Sequence, residues 1–271
     1  MKKISNKISL LFVLILSFTL IALVGCAPKG KPEETLNAYY ENMKNNNAEG
    51  AYETLSEQSK KDFKKEDFIK WQEAQQKTSI LKEAKIEKIN EFKDKELNDI
   101  KFKNVVEFNV SEKVKNLIDN KDESLSYKRY VVNDNGSWKV YRDKENGKER
   151  IAQALNRLAW TYMSSENQDL NQAATILNDA LKENKDYIYT YYSLGNVYSR
   201  LGRYNESISN INNYISKEKD SSKTSDAYNI LGVDYEGKGE YNKAKENYLK
   251  AIDLNSNNQY AKTNLERVKQ Y

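Results

Sequence analysis

The chain has 271 residues, 38% hydrophobic and 31% charged, with two prolines and ten glycines; this is the balance of a folded chain of roughly two domains, not of a disordered one. Its formal charge of +4 falls to +1 once Lys2, Lys3 and Lys7 are set aside with the leader they belong to, and elsewhere Lys alternates with Glu and Asp, so no basic stripe marks a nucleic-acid binder. Histidine is absent and Cys26 is the sole cysteine. That removes the commonest general base and metal ligand, any intrachain disulfide and any cysteine-bearing zinc site, so no enzyme activity, cofactor or metal is expected.

Residues 1–7 hold three lysines, and residues 8–24, ISLLFVLILSFTLIALV, are almost wholly apolar. A basic start followed by such a run reads as a secretory leader. The run ends Leu23-Val24-Gly25-Cys26, which resembles the bacterial lipobox. The resemblance implies a signal peptide over residues 1–25, diacylglycerol on the Cys26 thiol, and a lipidated tether over residues 26–31. The mature chain is then expected on the extracytoplasmic face of the cell membrane, because two acyl chains suffice for stable anchoring. An uncleaved helical anchor is the alternative, and the 17 apolar residues stand at the short edge for spanning a bilayer.

Pro32, Glu33 and Glu34 suit a helix start. Residues 33–44, 48–56 and 66–78 read as helices, with Leu36, Tyr39, Tyr40 and Met43 on one side of the first and Phe68, Trp71 and Ala74 on the third. The period then changes to two: Val106, Phe108 and Val110 alternate with polar residues, Leu125, Tyr127 and Val131 share one parity, and Trp138 and Val140 follow. Asn133-Asp134-Asn135-Gly136 separates the last two runs and predicts a hairpin. Residues 84–92 fit either helix or strand. Helices followed by a strand meander over residues 32–145 resemble the cone-shaped α+β fold of the nuclear transport factor two-like superfamily. Some of its members are enzymes using Asp, His or Tyr in the cone, but no acid of this sequence can be placed at a matching site. Trp71, Phe102, Phe108 and Trp138 are expected to fill the cone as core.

Residues 151–271 repeat. AYNILGVDYEGKGEYNKAKENYLKAIDLN (227–255), TYYSLGNVYSRLGRYNESISNINNYISKE (190–218) and ALNRLAWTYMSSENQDLNQAATILNDALKEN (154–184) superimpose. Leu194-Gly195 with Tyr198 and Leu231-Gly232 with Tyr235 match on the first helix of a pair. Ala244, Tyr248 and Ala251, like Ala173, Leu177 and Ala180, fall on one face of the second. Ser207, Ile211 and Tyr214 are the middle counterpart. These motifs resemble the tetratricopeptide repeat, which implies an all-α array of three repeats (152–186, 188–220, 225–257) and a capping helix (258–271).

In such an array the first helices line a concave groove. The spacing predicts that Asn156, Trp160, Met163, Tyr189, Tyr192, Asn196, Asn229 and Val233 line it, with Trp160, Tyr189 and Tyr192 as exposed aromatics and the asparagines available to a peptide backbone. The expected role is a membrane-anchored adaptor that holds a peptide segment of another envelope or secreted protein. The competing reading is a small-ligand-binding or enzymatic cone domain, with the repeats used only for assembly; a structural lipoprotein of a wall or coat layer is a third. A filled cone favours the first reading, and a cavity with a buried, unpaired acid favours the second.

Overall fold

Pro32 at the first helical position and Glu33 and Glu34 in the first turn start α1 (Pro32–Lys44), which buries Leu36, Tyr39 and Tyr40. The structure is a computed structural model that describes residues 28–142, 146–164 and 168–271; the leader and Cys26 lie outside the described residues. Asn47 caps α2 (Ala48–Glu53) by accepting the Gly50 amide at 3.0 Å. The helix expected over 48–56 stops there, because the chain joins the sheet: the Val140 amide donates to the Thr54 carbonyl and the Ser56 amide to the Val140 carbonyl, both at 2.9 Å. The Ser56 side chain then caps a further short helix, α3 (Glu57–Asp62), which its polar sequence did not reveal. Helix α4 (Lys65–Gln76) buries Phe68, Gln72 and Ala74.

Four antiparallel strands follow in the order of the chain, β1 (Ser79–Leu97), β2 (Ile100–Asn116), β3 (Asp122–Asp134) and β4 (Ser137–Tyr141). Residues 84–92 are strand. They belong to an edge strand rich in Lys and Glu, and it is pairing with β2, broken by register shifts at Leu81/Glu83 and Lys88/Asn90, that makes them so. The β1–β2 hairpin turns on Asn98 and Asp99, both at positive φ (47° and 65°), and the expected β3–β4 hairpin turns on Asn135 and Gly136 (54° and 82°). Such turns match the twist of the flanking strands, and Asn, Asp and Gly tolerate them best.

One face of the sheet, through Val106, Phe108, Val110, Val131 and Val140, packs on Leu36, Tyr39, Tyr52, Leu55, Phe63 and Phe68 of the helical layer. The other face holds a smaller cluster of Leu97, Val105, Val132 and Tyr141. The four aromatics expected to fill the space under the helices divide instead. Phe108 is core. Phe102 lies on the opposite face, its ring 5.1 Å from that of Tyr141, because it shares the register parity of the Leu97 cluster. Trp138 packs, partly buried, against the same core at the sheet's end, where its indole N–H donates to the Gly30 carbonyl at 3.2 Å. Trp71 packs on the core, its ring 5.8 and 5.4 Å from those of Phe63 and Phe68, and also lines an open cavity of about 740 Å³.

The C-terminal region is all helical: α5 (Gly147–Ser164), α6 (Leu170–Glu183), α7 (Tyr189–Arg200), α8 (Tyr204–Ile215), α9 (Ser221–Gly237), α10 (Tyr241–Leu254) and α11 (Gln259–Val268). Helix α5 begins ahead of residue 151 and packs on α4. The helices pair as α5/α6, α7/α8 and α9/α10, with α11 on the last pair. Gly202 and Gly239 end the first helices of the second and third pairs at φ 73° and 76°, conformations costly for residues with a Cβ. Asp169, Asp220 and Asn258 cap α6, α9 and α11.

Candidate functional site

The repeat-defining residues do the packing their spacing suggests. A Cβ on Gly195 would stand 2.4 Å from Ile211 of α8, and one on Gly232 would stand 2.3 Å from the Tyr248 ring of α10. Only glycine lets the helices of the second and third pairs approach this closely. Ala173, Leu177, Ala180, Ile211, Tyr214, Ala244, Tyr248 and Ala251 are all buried.

Residues 188–216 and residues 225–258 each match a tetratricopeptide repeat family. The C-terminal region carries tetratricopeptide repeats. The matched residues coincide with the second and third helix pairs. Among solved structures, the chain is similar to a MamA double mutant from RS-1 (19% identity, TM-score 0.40, 44% of this chain and 64% of that one). It is also similar to the Arabidopsis OM64 TPR domain (17%, 0.42, 46% and 98%) and to the first TPR domain of human RPAP3 (17%, 0.41, 45% and 92%). No curated protein matches the chain.

First helices of neighbouring repeats touch, α5 on α7 and α7 on α9, and so form a continuous wall. The eight residues expected on that wall take unequal places. Trp160 is half-buried and donates its indole N–H to Ser193 Oγ at 3.2 Å, joining α5 to α7. Tyr189 and Tyr192, expected to be exposed, are half-buried, with rings 6.1 and 5.1 Å from Tyr214 of α8. The Lys223 ammonium donates to the Tyr189 hydroxyl at 2.9 Å. Burial first, and Asp226 second, push the Tyr192 hydroxyl up to about 12. Asn196 is half-buried, and Asn229 Oδ1 accepts from Asn264 of α11 at 2.9 Å. Val233 packs in the cluster of Tyr248 and Val268.

Met163 and Asn156 are buried, at 2% and 9% exposure. The reason is angular. At about 100° per residue, Met163 lies only about 40° from Ala159, the centre of the α5 core stripe, whereas Gln153 and Trp160 lie at least about 100° from it. Met163 is therefore core, with its carbonyl held by the Arg200 guanidinium at 3.2 and 3.3 Å. The surface left to a partner is Trp160, Tyr192, Asn196 and the edge of Val233.

One residue of the wall escaped the sequence reading. Asp234 of α9 is fully buried; its Oδ2 accepts from Ser207 Oγ at 2.5 Å, while Oδ1 has no hydrogen-bond partner. Burial, opposed by the Ser199 and Ser207 hydroxyls, pushes this carboxyl up to about 6. The only signal was an acid directly after the apolar run Ile230-Leu231-Gly232-Val233 and before Tyr235.

The N-terminal cavity is the second site. Its roof is α1 (Tyr39, Tyr40, Met43) and α4 (Trp71, Gln72), and its floor is Glu112 of β2 with Tyr127 and Arg129 of β3. The space is not filled, and the ion reaching its floor from β3 is a cation, the half-buried Arg129, while the buried Arg142 lines its wall and donates to the Tyr39 hydroxyl at 2.6 Å. Tyr127 donates its hydroxyl to Glu112 and lies 2.9 Å from the Tyr40 hydroxyl, so Glu112 is already engaged. Burial pushes both phenols up from their ordinary values. The alternation of β3 put Tyr127 on the inner face; Arg129 shares that parity and was overlooked because arginine is rarely core.

Proposed function

We propose that the mature chain is anchored by lipid on Cys26 at the extracytoplasmic face of the cell membrane and serves there as a protein–protein adaptor. The observation that carries the adaptor reading is the continuous wall of first helices in which Trp160, Tyr192 and Asn196 stay partly open. Aromatics fixed on rigid helices suit recognition, since little side-chain entropy is lost on binding. The partner is an extended segment of an envelope or secreted protein. The anchor rests on the Leu23-Val24-Gly25-Cys26 sequence alone. We read no catalytic step in either region. The N-terminal body, helices first and then an antiparallel meander around a cavity, is in keeping with the nuclear transport factor two-like superfamily.

Two measurements test this. Cys26→Ser should move the protein from the membrane fraction to the soluble fraction, and undiminished membrane retention refutes the lipid anchor. Crosslinking on intact cells should yield a discrete partner with the unaltered chain. It should fail with Tyr192→Ala combined with Asn196→Ala at equal folded yield; equal capture by both refutes the wall as the binding surface.

A further inference from the structure

A guanidinium shielded from water needs a counter-charge, because burying an uncompensated ion costs several kcal/mol. Arg129 reaches the cavity floor from the centre of β3, opposite Phe108 of β2. Among the described residues no carboxylate lies within ion-pair distance of it, and its Nε–H is sealed from solvent with no hydrogen-bond partner. Its guanidinium carbon sits 4.9 Å from the Tyr127 ring centroid and the group lies against the Tyr40 hydroxyl, neutral contacts that offset only part of the cost. The nearest acid in the cavity, Glu112, is held by Tyr127. Across the space Gln72, only 4% exposed, spends its amide N–H on the Met43 carbonyl and leaves Oε1 with no partner. The site thus holds a cation lacking an anion and an acceptor lacking a donor, in a chamber of about 740 Å³, the size that takes a small organic molecule.

We propose that this cavity binds a small organic monocarboxylate with a planar apolar body, the carboxylate gripped by Arg129. Guanidinium and carboxylate match as planar forks with two parallel hydrogen bonds. Tyr39, Tyr40 and Trp71 offer ring surfaces to the body, and Gln72 Oε1 accepts from a hydroxyl or N–H on it. The class follows from charge. Arg142 and Arg150 also line the chamber but are engaged by other partners, and Glu112 faces the same space, so a dianion such as phosphate is opposed by like-charge repulsion while a monoanion balances Arg129.

The test is calorimetric titration of the full chain with benzoate, benzamide and inorganic phosphate, each repeated on Arg129→Gln, with intrinsic tryptophan fluorescence followed in parallel. The expected result is saturable binding of benzoate, at least about tenfold weaker for benzamide and for Arg129→Gln, as loss of a charge-assisted pair requires. The variant's melting temperature should hold or rise, since a half-buried charge without an ion-pair partner has been removed. Absence of saturation by benzoate, equal affinity for benzamide, preference for phosphate, or binding indifferent to Arg129→Gln each overturns the assignment. Should the variant not fold, the benzoate-to-benzamide ratio on the unaltered chain decides by the same criterion.

Discussion

Ser207 of α8 donates its hydroxyl to Asp234 of α9 at 2.5 Å, so the second and third repeats meet at a fully buried carboxylate whose other oxygen is unpartnered. Ser207 Oγ also lies 2.8 Å from the Gly195 carbonyl of α7, so its single hydroxyl hydrogen is shared between two acceptors while Asp234 is ionised. One short side chain therefore connects three helices, and its quality depends on whether Asp234 bears a proton.

The first prediction is a pH dependence confined to the repeats. Asp234 titrates near 6 in the folded chain against an ordinary 3.8. A raised carboxyl binds its proton more tightly when folded, so its contribution is complete below about 3.8 and is lost as pH rises through 6. The repeats should be more stable at pH 5 than at pH 7.5. Asp234→Asn should stabilise them at neutral pH by about 1–3 kcal/mol, the scale of a buried polar penalty, and flatten the profile. Amide hydrogen exchange in α8 and α9 against pH checks this; an unchanged profile in the variant contradicts it.

Glu107 moves in the opposite sense. It is buried on the outer face of the sheet and accepts from Asn90 at 2.6 Å, Tyr130 at 2.9 Å and Lys128 at 3.0 Å. The Asn90 hydrogen bond foremost, then those of Lys128 and Tyr130, hold it at about 2, below the ordinary 4.5. Its contribution is present above 4.5 and lost as pH falls toward 2. The N-terminal region should therefore open before the repeats on acidification. Glu107→Gln should cost about 1–3 kcal/mol at pH 7, read from the denaturant midpoint of the sheet's amides.

Gly232→Ala tests the repeat packing. The new methyl would overlap Tyr248, and that ring is pinned: its hydroxyl donates to Glu236 at 2.7 Å, and Glu236 is gripped by Arg267 of α11 at 2.7 and 2.8 Å. Overpacking of this kind costs about 1–3 kcal/mol. The melting temperature of the repeats should fall by several degrees, whereas Gly239→Asn, at a left-handed position open to solvent, should change it little.

The junction of the two regions combines close packing of Gly147 on the Phe63 ring with a cluster of ion pairs. Lys148 of α5 bridges Asp67 of α4 at 3.1 Å and Glu183 of α6 at 2.9 Å, and Lys70 of α4 pairs with Glu183 as well. Glu183 is mostly shielded, so its replacement by Gln should loosen α4 from the repeats by about 1 kcal/mol. High salt should produce a weaker form of the same effect. Calorimetry should show the two regions melting further apart; a single unchanged transition contradicts it.

Period and glycine placement in the chain alone determined the paired helices of the repeats, the capping helix and the β3–β4 hairpin, since each rests on contacts a few residues apart or on backbone angles only Gly or Asn accept readily. The Asn98-Asp99 turn carried the same signal between Leu97 and Ile100 and went unused. Tertiary structure decided the rest. Residues 84–92 became strand because β2 lies beside them; Met163 became core because its angle on α5 meets α6 and α7; Phe102 left the space under the helices because sheet register sent it to the other face, and Trp138, though on the inner face, packs at the sheet's end. Arg129 and Asp234 gained their character from burial, a property of how distant segments enclose a side chain, which no local pattern of residues contains.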